Sequence, residues 1–206
     1  MKYYNSDIVF QEIPDETTLA INISGCPNRC EGCHSKWLWE DVGMPLCEDS
    51  GHDIDGDERL PDFGGLDEAV GKYARNISCV CFMGGDQSPE TIDLMALRIK
   101  RLWPKLKTGW YSGRPAVQDD MVAASEAAET SGTSGASEAA GKTLYAALQA
   151  QLPEINIGDF DFIKLGPYIA SLGGLRSKTT NQRIYRIHDG KAEIIHIHDP
   201  HDFGAK

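Results

Sequence analysis

The chain is 206 residues long, 41% hydrophobic, and carries 31 acidic against 20 basic residues, a formal charge of −11. One domain, residues 1–206, is the default at that length, and a nucleic-acid binder, which presents a basic face, is disfavoured. No apolar run approaches the ~20 residues that cross a bilayer, and residues 1–7 lack the apolar core of a signal peptide, so a cytoplasmic protein without a membrane partner is expected. In a reducing cytosol the six cysteines point to metal or redox chemistry rather than to three disulfides.

Residues 7–13 read as a first strand, closed by a turn at Pro14 and Asp15. Residues 17–25 alternate, with Leu19, Ile21 and Ile23 on one face and Ala20, Asn22 and Ser24 on the other, which predicts a strand that runs straight into Gly25 and Cys26. Ligand sites in β/α folds gather at such carboxyl ends. The loop that follows is Cys26-Pro27-Asn28-Arg29-Cys30-Glu31-Gly32-Cys33-His34, a Cys-x3-Cys-x2-Cys spacing with no fourth cysteine close behind. A structural zinc site wants four closed ligands, and an ordinary ferredoxin cluster wants four thiolates. Three thiolates on one loop hold three irons of a 4Fe-4S cube and leave the fourth iron open to a substrate. Pro27 stiffens the loop, and Gly32 admits close backbone approach. His34 reads equally well as a helix-start residue bonded to backbone or as a cofactor contact.

Residues 35–42 read as a short helix or irregular segment whose Trp37 and Trp39 pack over the site. Residues 46–64 form an acidic loop. It does not match a calcium-binding EF-hand, because counting from Asp53 the glycine falls fourth and Gly64 stands twelfth. Cys47, within it, has no ligand role. Residues 66–75 are helical in pattern, and residues 77–83 form a buried strand with Cys79 and Cys81 on one side, packed in the core. Gly84-Gly85-Asp86 follows, two glycines that let a ligand approach the backbone and an acid that accepts from an ammonium group. The helix over residues 89–102, with proline early, turns Ile92, Met95, Ile99 and Leu102 to the core. Residues 108–113 read as a strand ending in a glycine turn, with Ser112 at the cofactor edge.

Residues 119–141 are poor in bulky apolar side chains and read as a flexible insertion. Gly141-Lys142-Thr143 is not a P-loop, since Ala136 occupies the position that needs glycine. Residues 144–152 look helical. Residues 161–165 form a strand into Gly166-Pro167, with Lys164 equally a surface lysine or a residue on the cofactor or substrate side. Residues 183–198 form a hairpin around Asp189-Gly190, and His196 and His198 read as a solvated edge. Strands alternating with helices imply a mostly parallel sheet with crossover helices. The chain is too short for a full eight-stranded barrel of ~250 residues.

The segments Cys26-Pro27-Asn28-Arg29-Cys30-Glu31-Gly32-Cys33-His34-Ser35, Phe82-Met83-Gly84-Gly85-Asp86, Ile163-Lys164-Leu165-Gly166-Pro167-Tyr168 and Thr179-Thr180-Asn181-Gln182-Arg183 span most of the chain. Together they resemble the activating protein of anaerobic (class III) ribonucleoside-triphosphate reductase. The cysteine motif carries the resemblance to the radical S-adenosylmethionine (radical SAM) superfamily, and the later motifs, in this order, carry the subfamily. The resemblance implies an α/β fold, an open partial (β/α) barrel with a C-terminal hairpin. It implies a 4Fe-4S cluster on Cys26, Cys30 and Cys33. It also implies SAM on the open iron, near Gly32, Cys33, His34, Gly84, Gly85, Asp86, Ser112 and Lys164. The implied enzyme is an oxidoreductase. A one-electron donor such as flavodoxin or ferredoxin reduces the cluster, SAM is cleaved, and the 5′-deoxyadenosyl radical takes a hydrogen from a glycine of the reductase catalytic subunit. Many relatives carry a large residue where this chain has Gly32, so an adenine contact has to come from elsewhere.

Three other readings compete. Another radical SAM enzyme, a different glycyl-radical activase or one with a small-molecule substrate, is opposed by the segments around Lys164 and Asn181. A zinc-binding interaction module on Cys26, Cys30, Cys33 and His34 uses adjacent residues that are poor co-ligands of one ion, and it leaves Gly84-Gly85-Asp86 unexplained. A simple electron-transfer ferredoxin would not bind SAM.

Overall fold

The computed structural model describes residues 1–48, 61–118, 127 and 134–196. Eight strands form one sheet: β1 (Lys2–Val9), β2 (Thr18–Ile23), β3 (Met44–Pro45), β4 (Cys79–Met83), β5 (Lys107–Tyr111), β6 (Phe162–Leu165), β7 (Arg183–His188) and β8 (Lys191–Ile195). The longer helices among the described residues are α1 (Gly64–Gly71), α2 (Pro89–Leu102) and α3 (Ser134–Gln151). The strand order is β3-β1-β2-β4-β5-β6-β7-β8, so β3 and β8 are open edges and the sheet does not close.

The sheet is mixed, which corrects the expected mostly parallel arrangement. β2, β4, β5 and β6 pair in parallel. The flanking pairs β1–β2, β1–β3, β6–β7 and β7–β8 are antiparallel, giving four antiparallel pairings against three parallel. Parallel neighbours need a crossover of a dozen or more residues, whereas antiparallel neighbours need only a short turn. The β1–β2 connection, residues 10–17, and the β7–β8 turn are that short, and the longer β6–β7 connection, residues 166–182, holds no helix to make a crossover. The β7–β8 turn places Asp189 at φ 48° and Gly190 at φ 69°, the left-handed pair that a two-residue hairpin requires.

Pleating divides the side chains of the parallel unit between two faces. Leu19, Ile21, Ile23, Val80, Phe82, Trp110, Ile163 and Leu165 join the larger core with the buried residues of α1, α2 and α3. Cys79, Cys81, Tyr111 and Phe162 face the other way, against Ile13 and Ile184. Both core cysteines have no exposed surface, and burial holds both thiols well above their usual pKa. Gly109 makes room there, since a Cβ on it would stand 3.2 Å from Cys81 Sγ and 3.4 Å from Ile13 Cδ1.

Several boundaries differ from expectation. The first strand is Lys2–Val9, not residues 7–13. Its polar residues pair because they lie toward the sheet's rim, and Asn5 accepts from the Asn22 side chain at 3.0 Å. Leu102, at the end of α2, is 42% exposed, and Ala96 takes a core place instead. Residues 134–141, expected to be a flexible insertion, are the first turns of α3. Gly141 there lies against Lys191 and the Ala192 carbonyl of β8, and Glu138 bridges Lys142 at 3.0 Å and Lys191 at 3.6 Å. Asp119 and most of the rest of that insertion, the calcium-like stretch from Asp53, and His198 fall outside the described residues. Among the described residues no helix is long and apolar enough to cross a membrane.

Candidate functional site

Because β2, β4, β5 and β6 run in parallel, their carboxyl ends open on one edge of the sheet. Ile23 leads to Gly25 and Cys26, Met83 to Gly84, Tyr111 to Ser112, and Leu165 to Gly166. Asn22, Met83, Tyr111 and Lys164 are register partners across the four strands. This row forms the floor of a cavity of about 600 Å³. One wall is the cysteine loop with Cys26, Asn28, Cys30, Cys33, His34 and Ser35, backed by Leu38 and Trp39. Gly84, Asp86, Ser112 and Gly113 make the second. The β1–β2 loop, with Gln11 and Glu12, and the β6–β7 loop, with Tyr168 and residues 174–177, close the rest. Arg176 ties those two loops together by donating to Gln11 Oε1.

All three cysteines of the motif are half-buried and line this cavity. Burial raises the Cys26 thiol pKa, while the backbone N–H groups of Asn28 and Arg29 pull it down. Cys33 Sγ accepts from the Ser35 backbone N–H at 3.3 Å. The loop is rooted by Gly25 N donating to Glu40 O at 3.0 Å and Cys26 N donating to Leu38 O at 2.8 Å. Arg29 and Gly32 adopt left-handed φ of 44° and 75°, which coil the chain so that the thiols share one side. Among the described residues no three His, Cys, Asp or Glu side chains converge on a single ion.

Asp86 is already a hub. Its Oδ2 accepts from Asn28 Nδ2 at 2.5 Å and from Gly113 N at 2.9 Å, and its Oδ1 accepts from the Ser112 hydroxyl at 2.5 Å. Ser112, 1% exposed, therefore orients this carboxylate. Gly84 and Gly85 both take left-handed φ, 100° and 94°. They differ in purpose: Gly84 lines the cavity, while a Cβ on Gly85 would collide with Ile92 of α2. Gly85 and Gly32 are not among the residues lining the cavity; Gly32 turns against Ala170 and Tyr168.

No family model matches this chain, and neither a curated protein nor a solved structure matches it.

Lys164 is 8% exposed, which removes the surface reading. Its ammonium donates to Gly166 O at 2.7 Å and lies 5.9 Å from the Tyr111 ring centroid. Burial lowers its pKa to about 8. His34 stands just before the one-turn helix Lys36–Trp39, and its exposed ring is edge-on to Tyr168, with centroids 5.2 Å apart. The two tryptophans part company. Trp39 is half-buried and lines the cavity, but Trp37 is 51% exposed beside Tyr4, correcting the expectation that both cover the site. In the one-turn helix Lys36–Trp39, neighbouring positions point apart.

Sequence reasoning missed Asn28, Tyr168, Arg176 and Gln182 as site residues. Gln182 Nε2 donates to Gly166 O at 3.2 Å, and Asn181 Nδ2 donates to Pro167 O at 3.0 Å. The two late segments thus fold onto each other as one wall. The readable signal was Gly166-Pro167, since a Cβ on Gly166 would press on Asn181 and Gln182 backbone at 2.8 Å. Asn28 carried no such signal.

Proposed function

We propose that this chain, as a single domain, is a radical SAM activase: it binds a 4Fe-4S cluster and SAM in this cavity and generates a glycyl radical on the anaerobic ribonucleoside-triphosphate reductase. The observation that carries the reading is that Cys26, Cys30 and Cys33 share one cavity with Gly84, Asp86 and Lys164, at the carboxyl edge of four parallel strands. The residues fit the group. A cube lets each thiolate take a different iron, so it does not ask the thiols to converge on one ion. N–H donors at Cys26 and Cys33 suit thiolate ligands, whose hydrogen bonds tune a cluster's potential. When bound, cluster and SAM supply one-electron cleavage of a carbon–sulfur bond.

The chain's own residues supply place and charge. Asp86 receives the ligand's ammonium and Lys164 its carboxylate; one N–H of Lys164 is used on Gly166 and an ammonium has three. Leu38, Trp39 and Met83 give the floor and wall their apolar surface. The helices pack on one face of an open sheet, and the open partial barrel of this superfamily belongs to the same proposal. A cytoplasmic location and a flavodoxin or ferredoxin as electron donor belong to the same proposal.

The test is anaerobic reconstitution with iron and sulfide, reduction, and addition of SAM and the reductase subunit. The expected products are 5′-deoxyadenosine, by chromatography, and a glycine-centred radical on the reductase, by electron paramagnetic resonance. Deoxyadenosine without the protein radical would keep the cleavage chemistry and refute the partner. Neither product, from protein carrying its cluster, would refute the reading.

A further inference from the structure

The loop bearing the three thiols has few ties of its own. Its base is held to the backbone of Leu38 and Glu40, and Cys33 N donates to Cys30 O at 3.1 Å. Toward its tip, among the described residues, exposed Arg29 lies 3.8 Å from Glu40 Oε1 across the loop's own base, and the tie that reaches another part of the sheet is Asn28 Nδ2 to Asp86 Oδ2, 58 positions away in sequence. Gly113 records how closely this amide is seated, because a Cβ on Gly113 would collide with Asn28 Nδ2. Asp86 meanwhile accepts from Gly113 N and the Ser112 hydroxyl. An ionised carboxylate offers about four acceptor sites. Three are occupied by the protein, and one on Oδ1 is left toward the cavity that Asp86 lines.

We propose that Asn28 is a positioning residue: its amide ties the thiol-bearing loop to the Gly84–Asp86 turn through Asp86, the carboxylate to which the function proposed above already gives the ligand's cationic end. The first half, the tie, is new and does not rest on that function; the second half is that earlier reading.

Two substitutions separate the halves. Asp86→Asn keeps an oxygen that accepts from Asn28 and Gly113, and its new amide N–H meets the Ser112 hydroxyl, which turns to accept. The tie survives and the charge is lost. Asn28→Ala removes the tie and keeps the charge.

The first readout is limited trypsin digestion of the full chain without iron, followed by mass spectrometry at the bond after Arg29, an exposed residue next to Asn28. When opening is fast relative to cleavage, the rate follows the population of the open loop. Asn28→Ala is expected to be cut there about tenfold faster, as loss of a hydrogen bond to a charged group predicts, and Asn28→Asp, which sets two carboxylates together, at least as fast. Asp86→Asn should stay within about twofold of the parent rate, and Asn28→Ala with Asp86→Ala should exceed neither single change, since both remove one tie. Cleavage after Arg176, on the opposite wall, should not change. Parental cutting after Arg29 in Asn28→Ala, equal acceleration after Arg176, or multiplicative effects in the double variant would each overturn the tie.

The second readout uses protein loaded with iron and sulfide. Asp86→Asn should hold its iron and bind SAM about tenfold more weakly in equilibrium dialysis, while Asn28→Ala should lose iron to a chelator faster. Parental SAM affinity in Asp86→Asn would overturn the ligand half alone. Failure of the unmodified protein to take up iron would defeat the proposed function and leave the digestion result standing.

Discussion

Lys164 shows how one side chain couples the site to stability. Burial lowers its pKa from 10.5 to about 8. Below pH 8 both the folded and unfolded chains carry the proton, so the full cost of a buried ammonium is present. Between about pH 8 and 10.5 the folded form releases the proton first, the unfolded form binds more protons, and stability rises with pH. Lys164→Met is therefore expected to be more stable than the parent at pH 7 in the protein without iron, by a margin on the order of 2 kcal/mol. The margin should shrink across pH 8 to 10.5, and the Gly166 carbonyl keeps Gln182 as a donor. Urea unfolding at pH 7, 9 and 10 measures it; a margin independent of pH would show that the buried charge is not its cause. The same residue should matter for SAM binding, so stability and affinity ought to change in opposite directions.

At the scale of elements, α3 is the informative case. Its first turns are rich in alanine, serine and glycine, and read alone they bury too little to order themselves. They are helical because the helix continues into Leu144 and Leu148, which are fully or almost fully buried, and because Gly141 seats against β8. Gly141 does not have a left-handed φ, and an added Cβ would meet Lys191 Cβ at 3.4 Å, an ordinary contact. Gly141→Ala should therefore gain helix propensity, roughly 0.5–1 kcal/mol, and raise the melting temperature by about 2 °C. A lower melting temperature would mean that β8 cannot accept the methyl group. Replacing residues 134–141 by a Gly-Ser linker should lower it, because packing as well as loop length changes. By contrast α2 was readable almost to the residue, since Pro89 starts it and Ile92, Met95 and Ile99 keep a helical stripe.

For the whole molecule, the cavity lies where four parallel strands end, and its lining comes from segments far apart in the chain. Loading that binds only the folded form stabilises it by mass action, about 2.7 kcal/mol when ligand stands 100-fold above its dissociation constant. Iron and sulfide are thus expected to raise the melting temperature by roughly 5–10 °C, and an iron chelator should reverse the gain. Cys26→Ala, Cys30→Ala and Cys33→Ala should each abolish the rise, whereas Cys79→Ala and Cys81→Ala, buried on the sheet, should keep it. Anaerobic calorimetry decides this; an unchanged rise in any of the first three would remove that thiol from the site.

The sequence by itself determined the local features: the strand that delivers Cys26, the glycines at positions 84 and 85, the helix after Pro89 and the Asp189-Gly190 turn. Each depends on a periodicity or a backbone preference confined to a few neighbouring residues. Only the tertiary structure decided which way the flanking strands pair, that Gly85 serves Ile92 rather than the cavity, that Lys164 is buried, and that Asn28 reaches Asp86. Those outcomes depend on contacts between residues far apart in sequence, and their geometry exists only after the sheet has brought the carboxyl ends of β2, β4, β5 and β6 side by side.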